Sequence, residues 1–186
     1  MWTGGRLRGA LALDGKGWLE CPRIEALARL AGDVTISLWL RRLGPQQHVR
    51  ALVSRQYGSA ERDIFHLGFR DDEIWMRTRY RGQATWAALP GPRDLWHHLA
   101  VTLDASGRTR LFLDGAQVME RRRDGQPPLG GGSNPLLIGG GVNGPDSSVV
   151  NERFQGVLDE LAIHARTLSG AEIRALAGGA QSLPSP

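Results

Sequence analysis

The sequence predicts an all-β chain, two antiparallel sheets stacked as a sandwich, with one or two short helices. Three observations carry this. Apolar and polar residues alternate with period two in several stretches, the pattern of a strand with one face buried. The 25 glycines and 10 prolines are spread along the chain, as many short strands joined by tight turns require. Helical periodicity is rare. With 186 residues and 41% apolar content, the chain suits a single domain with a real core. That domain is expected over residues 1–178, followed by a flexible tail at 179–186.

In chain order, strands are expected at residues 7–13 and 18–20, and a short helix at 24–30. The next strand puts Val34, Ile36, Leu38 and Leu40 on one face and Thr35, Ser37, Trp39 and Arg41 on the other. Shorter candidates follow at 51–54, 64–69, 73–79 and 83–87. The region from Trp96 to Arg121 reads as a three-stranded meander. Its first strand places His97, Leu99, Val101 and Leu103 on one face; the turn Asp104-Ala105-Ser106-Gly107 leads to a strand at 109–113. Asp114-Gly115 then favours a type I′ hairpin, because both central residues need positive φ. A third strand runs over 116–121. Strands at 136–138 and 157–164 complete the set. Ser169-Gly170-Ala171-Glu172 has the form of a capping box and opens a helix reaching Leu176, with Gly178-Gly179 to stop it. Residues 125–135 and 139–151, rich in Gly or Pro, read as long loops.

The order of these motifs resembles a known family. Leu11-Ala12-Leu13-Asp14-Gly15 precedes Trp18-Leu19-Glu20-Cys21-Pro22; Val34 to Leu40, Trp96 to Asp104 and Arg110 to Gly115 follow; Phe154 to Ile163 and Leu168 to Ile173 close the series. The whole resembles the bacterial laminin-G-like, concanavalin A-like lectin/glucanase domain. That resemblance implies a jelly roll of two antiparallel sheets. Members of this class bind glycans, proteins or lipids, and some are passive spacers, so the fold alone does not set the function.

Charge excludes little but directs the reading. There are 23 Lys+Arg against 19 Asp+Glu, and Lys16 is the one lysine. Basic and acidic residues alternate, as in Arg62-Asp63, Arg70-Asp71 and Arg93-Asp94. That is the pattern of a solvated surface, and no nucleic-acid partner is expected. Arg121-Arg122-Arg123 beside Asp124 reads as a strand end in solvent. Cys21 is the one cysteine, so no disulfide forms within the chain. No segment has the length and apolarity of a membrane span, and residues 1–6 lack the apolar core of an export signal. The family resemblance nonetheless suggests an extracellular setting or a particle surface.

No enzyme is expected. Glucanases of this fold carry paired carboxylates spaced E-x-D-x-x-E on one strand, one as acid and one as nucleophile or base, and no such string occurs here. Neither a nucleophile elbow nor clustered metal-ligating His and Cys occurs, and Gly130-Gly131-Gly132 and Gly139-Gly140-Gly141 read as loop glycines. The period-two reading places Asp159 on one face with Val157, Leu161 and Ile163. A carboxylate in that position must accept backbone N–H bonds or meet a cation. In jelly rolls of this class the first and last strands often pair, which would bring Asp14 to Asp159, and a structural calcium held by the two is one expectation. Among the six tryptophans, Trp39 and Trp96 read as packing residues. Trp75 and Trp86, with Arg77 and Tyr80 nearby, suit sugar stacking combined with hydroxyl hydrogen bonds, or cover for the sheet. Two functions follow: a non-catalytic module recognising carbohydrate or another extracellular polymer through Trp75, Arg77, Tyr80 and Trp86; or a structural, decorating or adhesion domain in a larger assembly such as a phage surface.

Overall fold

The computed structural model describes residues 1–22, 25–28, 30, 32–44, 48–55, 65–78, 84–88, 94–122, 135–142 and 149–180. The strands are β1 (Trp2–Gly4), β2 (Gly9–Asp14), β3 (Leu19–Cys21), β4 (Val34–Arg42), β5 (Val49–Arg55), β6 (Phe65–Arg70), β7 (Glu73–Thr78), β8 (Ala84–Ala88), β9 (Trp96–Leu103), β10 (Arg108–Leu113), β11 (Ala116–Arg122), β12 (Leu136–Ile138) and β13 (Gln155–His164). The helices are α1 (Glu25–Ala28) and α2 (Gly170–Ala177). Seven strands form one sheet in the order β1-β2-β13-β4-β9-β10-β11, and six form the other in the order β3-β12-β5-β6-β7-β8.

The expected alternation builds the core. Val34, Ile36, Leu38 and Leu40 are buried between the sheets with Leu99, Val101 and Leu103 of the adjacent strand. The six-stranded sheet contributes Leu52, Val53, Phe65, Leu67, Phe69, Ile74 and Met76. A register shift between Ala51 and Val53 accompanies the entry of both Leu52 and Val53 into this core. Each such side chain contributes roughly 1.5–3 kcal/mol of transfer free energy, which is why period two decides the layer of nearly every strand.

The meander forms as expected, with β9, β10 and β11 adjacent. Asp114 and Gly115 take φ of 49° and 81°, the type I′ pair, between the partners Leu113 and Ala116. Ser169 caps α2, and the helix lays Ile173 and Leu176, with Leu168 before it, over Ala100 and Phe112 on the outer face of the seven-stranded sheet. The strand expected at 7–13 begins instead at Gly9, because Gly5 donates to the Arg8 carbonyl (2.7 Å) in a turn that folds an unforeseen strand, β1, back onto β2. Gly179 and Ala180, expected in the tail, donate to the carbonyls of Leu176 and Ala175; residues 181–186 lie outside the described residues.

The last strand departs from simple alternation. Its pairing with β4 slips between Asp159 and Ala162, and Glu160 takes φ of 48°. This bulge reverses the facing of everything after it. Leu158, Leu161 and Ile163 face the core, whereas Asp159, opposite Trp39, lies with Val157 on the outer face. The expectation that Asp159 shares a face with Leu161 and Ile163 is therefore corrected.

Candidate functional site

The outer face of the six-stranded sheet carries the convergence of aromatic and charged groups. Register sets which residues meet. His66 pairs with Ser54 and Arg77, Gly68 with Trp75, and Arg70 with Glu73. The face opposite the core thus reads His66, Gly68, Arg70 along β6 and Glu73, Trp75, Arg77 along β7. Trp86 on β8 stands opposite Trp75 in register. Tyr80 lies outside the described residues.

Trp75 is enclosed rather than displayed. It is 5% exposed. The His66 ring meets it edge-on at 4.7 Å between centroids, and the Arg77 guanidinium lies 5.0 Å over the indole. Open stacking on Trp75, the geometry first expected for a sugar, is restricted by these neighbours. Its Nε1–H is buried and makes no hydrogen bond. An unmade hydrogen bond of this kind costs about 1–3 kcal/mol and demands an explanation.

His66 is itself fully buried, and its Nδ1 lies 3.3 Å from Glu152 Oε2. Burial, with the Arg77 charge second, pushes the imidazole down to about 3, so it is neutral at physiological pH. Glu152 comes from the segment after β12 that folds back over the sheet. Gly141 accepts from the Asn151 and Glu152 amides, and Val142 bridges to Val150. Leu137, Val142 and Val150 pack with Trp18 in a small cluster there. Gly141 leaves room for this contact, since a Cβ there would stand 2.7 Å from Glu152 Oε2 and force it to shift. Neither His66 nor Glu152 was singled out from sequence. The only local signal is a histidine on the polar face of an apolar strand.

Beside Trp75, at the β6–β7 turn, lies a cavity of about 320 Å³ lined, among the described residues, by Arg70, Asp71, Glu73 and Trp75. The turn residues Asp71 and Asp72 both take positive φ, 49° and 71°, a type I′ turn without glycine. Asp71 accepts from the His48 amide (2.9 Å), and Asp72 pairs with the buried Arg42 at 2.7 Å. These contacts hold the strained turn in place.

A second cavity, about 480 Å³, opens at the other side of the sandwich between β2 and β3. Met1, Leu11, Leu13, Trp18 and Leu19 give it a largely apolar wall.

The candidate calcium ligands do not converge. Asp14 Oδ1 accepts from the Lys16 and Gly17 amides, bonds that hold this exposed carboxyl below its ordinary range. Asp159 Oδ2 accepts from the Arg6 and Leu7 amides (2.8 and 3.1 Å), and its Oδ1 from Glu160 (2.9 Å). Although β2 and β13 pair as expected, Asp14 sits opposite Gln155, four positions or roughly 13 Å along the strand from Asp159. Each carboxylate already has backbone N–H partners of its own, and the pair does not fit a shared calcium site. No group of three or more His, Cys, Asp or Glu among the described residues is arranged to hold a metal ion.

A two-sheet antiparallel jelly roll with its polar cluster on an outer sheet face defines the class of this domain. The chain belongs to the concanavalin A-like lectin/glucanases superfamily, whose laminin-G-type profile matches residues 13–174. No curated protein sequence matches it. Among solved structures it is similar to the CBM40 of the Ruminococcus gnavus IT-sialidase, seen with α2,3-sialyllactose: 16% identity, 91% of this chain, 96% of that one, TM-score 0.73. It is also similar to domain 4 of AbnA, a GH43 extracellular arabinanase from Geobacillus stearothermophilus in complex with arabinotriose: 18% identity, 95% and 80% coverage, TM-score 0.69. The binding domain of Paraclostridial Mosquitocidal Protein 1 matches over 96% of this chain and 45% of its own, at 16% identity and TM-score 0.71. At these identities the likeness concerns the fold.

Proposed function

We propose that this domain is a non-catalytic binding module for carbohydrate, or another extracellular polymer, and that its site is the outer face of the six-stranded sheet around Trp75, Arg77 and Trp86. The observation that carries the reading is Trp75: a buried indole with an unmade N–H, braced by His66 and Arg77, in the wall of a cavity that also holds charged groups. A cavity with a few placed polar groups and an aromatic wall is what a small-ligand site requires. Similar domains seen with arabinotriose and sialyllactose support the same reading.

Two buried carboxylates support the non-catalytic reading. Glu152 is buried against His66, and Asp159 is committed to three backbone amides. Neither is placed as the acid or nucleophile of a glycosidase pair. A glycan array should therefore return binders without release of reducing ends, and Trp75→Ala should abolish binding. Hydrolysis that one carboxylate substitution removes, or full binding by Trp75→Ala, would overturn the reading.

A role in a larger assembly draws on a different observation. Met1 and Trp2, at the edge of the seven-stranded sheet, are 93% and 73% exposed beside the apolar cavity. Light scattering tests it: a defined oligomer that Trp2→Ser dissociates would favour this second reading.

A further inference from the structure

The cavity at the β6–β7 turn allows the ligand class to be narrowed, on the footing of the carbohydrate reading above. We infer that it takes an uncharged, hydroxyl-rich saccharide end and disfavours anionic sugars. Each wall group exchanges hydrogen bonds of a definite kind. Asp71 and Glu73 are acceptors, and Asp71 spends only Oδ1 on the His48 amide. Arg70 is a donor. Neighbouring hydroxyls of a sugar both donate and accept, so they satisfy a mixed set of this kind; a carboxylate-bearing sugar only accepts at its charged end.

Charge gives the same answer. The described wall sets one guanidinium, Arg70, against two carboxylates, Asp71 and Glu73. The other charged groups nearby among the described residues do not tip this balance toward an anion. Arg77 lies over the indole and makes the local sum even. Arg42 and Asp72 pair with each other, and His66 is neutral. A sugar carboxylate would thus meet two like charges, with no surplus of positive charge among the described residues to hold it.

The turn geometry is consistent with a built site. Asp71 and Asp72 hold left-handed φ values that glycine would adopt more readily, and the carboxylates are what glycine would lose. Trp75, a wall residue of the same cavity, carries a buried N–H without a partner, which a ligand oxygen would reach only once a neighbour moves aside.

The test uses matched probes by titration calorimetry: lactose against sialyllactose, and xylotriose against its glucuronic acid-substituted form. The variants are Trp75→Phe, which keeps the ring and removes the N–H, and Glu73→Gln, an exposed position; melting curves check that both fold. The expected result is that a neutral member binds more tightly than its acidic counterpart. Each variant should weaken that binding about tenfold, and Glu73→Gln should narrow the gap to the acidic probe. Tighter binding of the acidic member, or neutral binding untouched by both variants, overturns the inference and leaves the carbohydrate reading standing. If neither these probes nor any glycan on an array binds the wild type, the carbohydrate reading fails and the inference falls with it.

Discussion

Asp159 shows how one side chain can close a sandwich. Its two oxygens gather three backbone amides, two from the Gly5–Arg8 turn and one from its own bulge. The first hairpin is thereby tied to the last strand, and Arg6 is brought 4.9 Å over Trp39. Gly5 leaves room for this, since a Cβ there would collide with Asp159 Oδ2. Charge-assisted bonds of this kind are worth about 1.5–3 kcal/mol each before desolvation is counted. Asp159→Asn should therefore lower stability by about 2 kcal/mol in urea unfolding, while a chelator should leave the wild-type melting curve unchanged. A chelator-dependent drop that calcium restores, and that Asp159→Asn abolishes, would reinstate the metal.

Helix α2 illustrates an element whose ends are set by local chemistry. The Ser169 hydroxyl accepts from the Glu172 amide at 3.3 Å, and Glu172 accepts in return from the Ser169 amide at 2.7 Å. Arg166 adds a third bond to Glu172 at 2.6 Å. Together these hold the Glu172 carboxyl at about 2, with the Arg166 bond the largest cause. The folded value lies below the ordinary one of 4.5, so this contribution is present above pH 4.5 and is lost as pH falls toward 2. The melting-temperature difference between wild type and Glu172→Gln should be constant near neutrality and shrink through that window. A constant difference down to pH 2 would remove Glu172 from the account. Ser169→Ala should cost about 1 kcal/mol at neutral pH, measured by the same unfolding.

At the scale of the molecule, each sheet buries one histidine on its outer face. His66 lies under Trp75 and Arg77, and His98 meets Trp39 edge-on at 5.4 Å. Burial pushes them down, to about 3 and about 4. For His98 the Asp114 carboxylate pulls the other way and loses. Both bind protons more readily in the unfolded chain, near pH 6.5, than in the folded one. Stability from keeping them neutral is thus present above pH 6.5 and lost as pH falls toward their folded values. Each adds up to about 1.4 kcal/mol per pH unit to the slope. Urea unfolding between pH 6.5 and 4 should show this loss, and His98→Phe, which keeps an aromatic ring beside Trp39, should reduce the slope by about one proton. An unchanged slope would mean that His98 is charged in the folded state or shielded in the unfolded one.

What could be read from the sequence was local. Alternation over Val34–Leu40 and Leu99–Leu103 settles which side chains are buried, because a strand exposes opposite faces at every step. Asp114-Gly115 and Ser169-x-x-Glu172 specify a turn and a cap, because those geometries depend on a few adjacent residues. Trp75 and Arg77 could be named as a pair for the same reason. The bulge at Glu160 could not be read, and it carried Asp159 to the opposite face; a single residue in left-handed backbone conformation leaves little trace in composition. Nor could the setting of Trp75, since His66 and Gly68 reach it through strand register, and Glu152 reaches His66 from a returning segment. Period and turn chemistry act between neighbours in the chain, whereas the candidate site is made by groups that meet only when the strands of one sheet and a returning segment have come together.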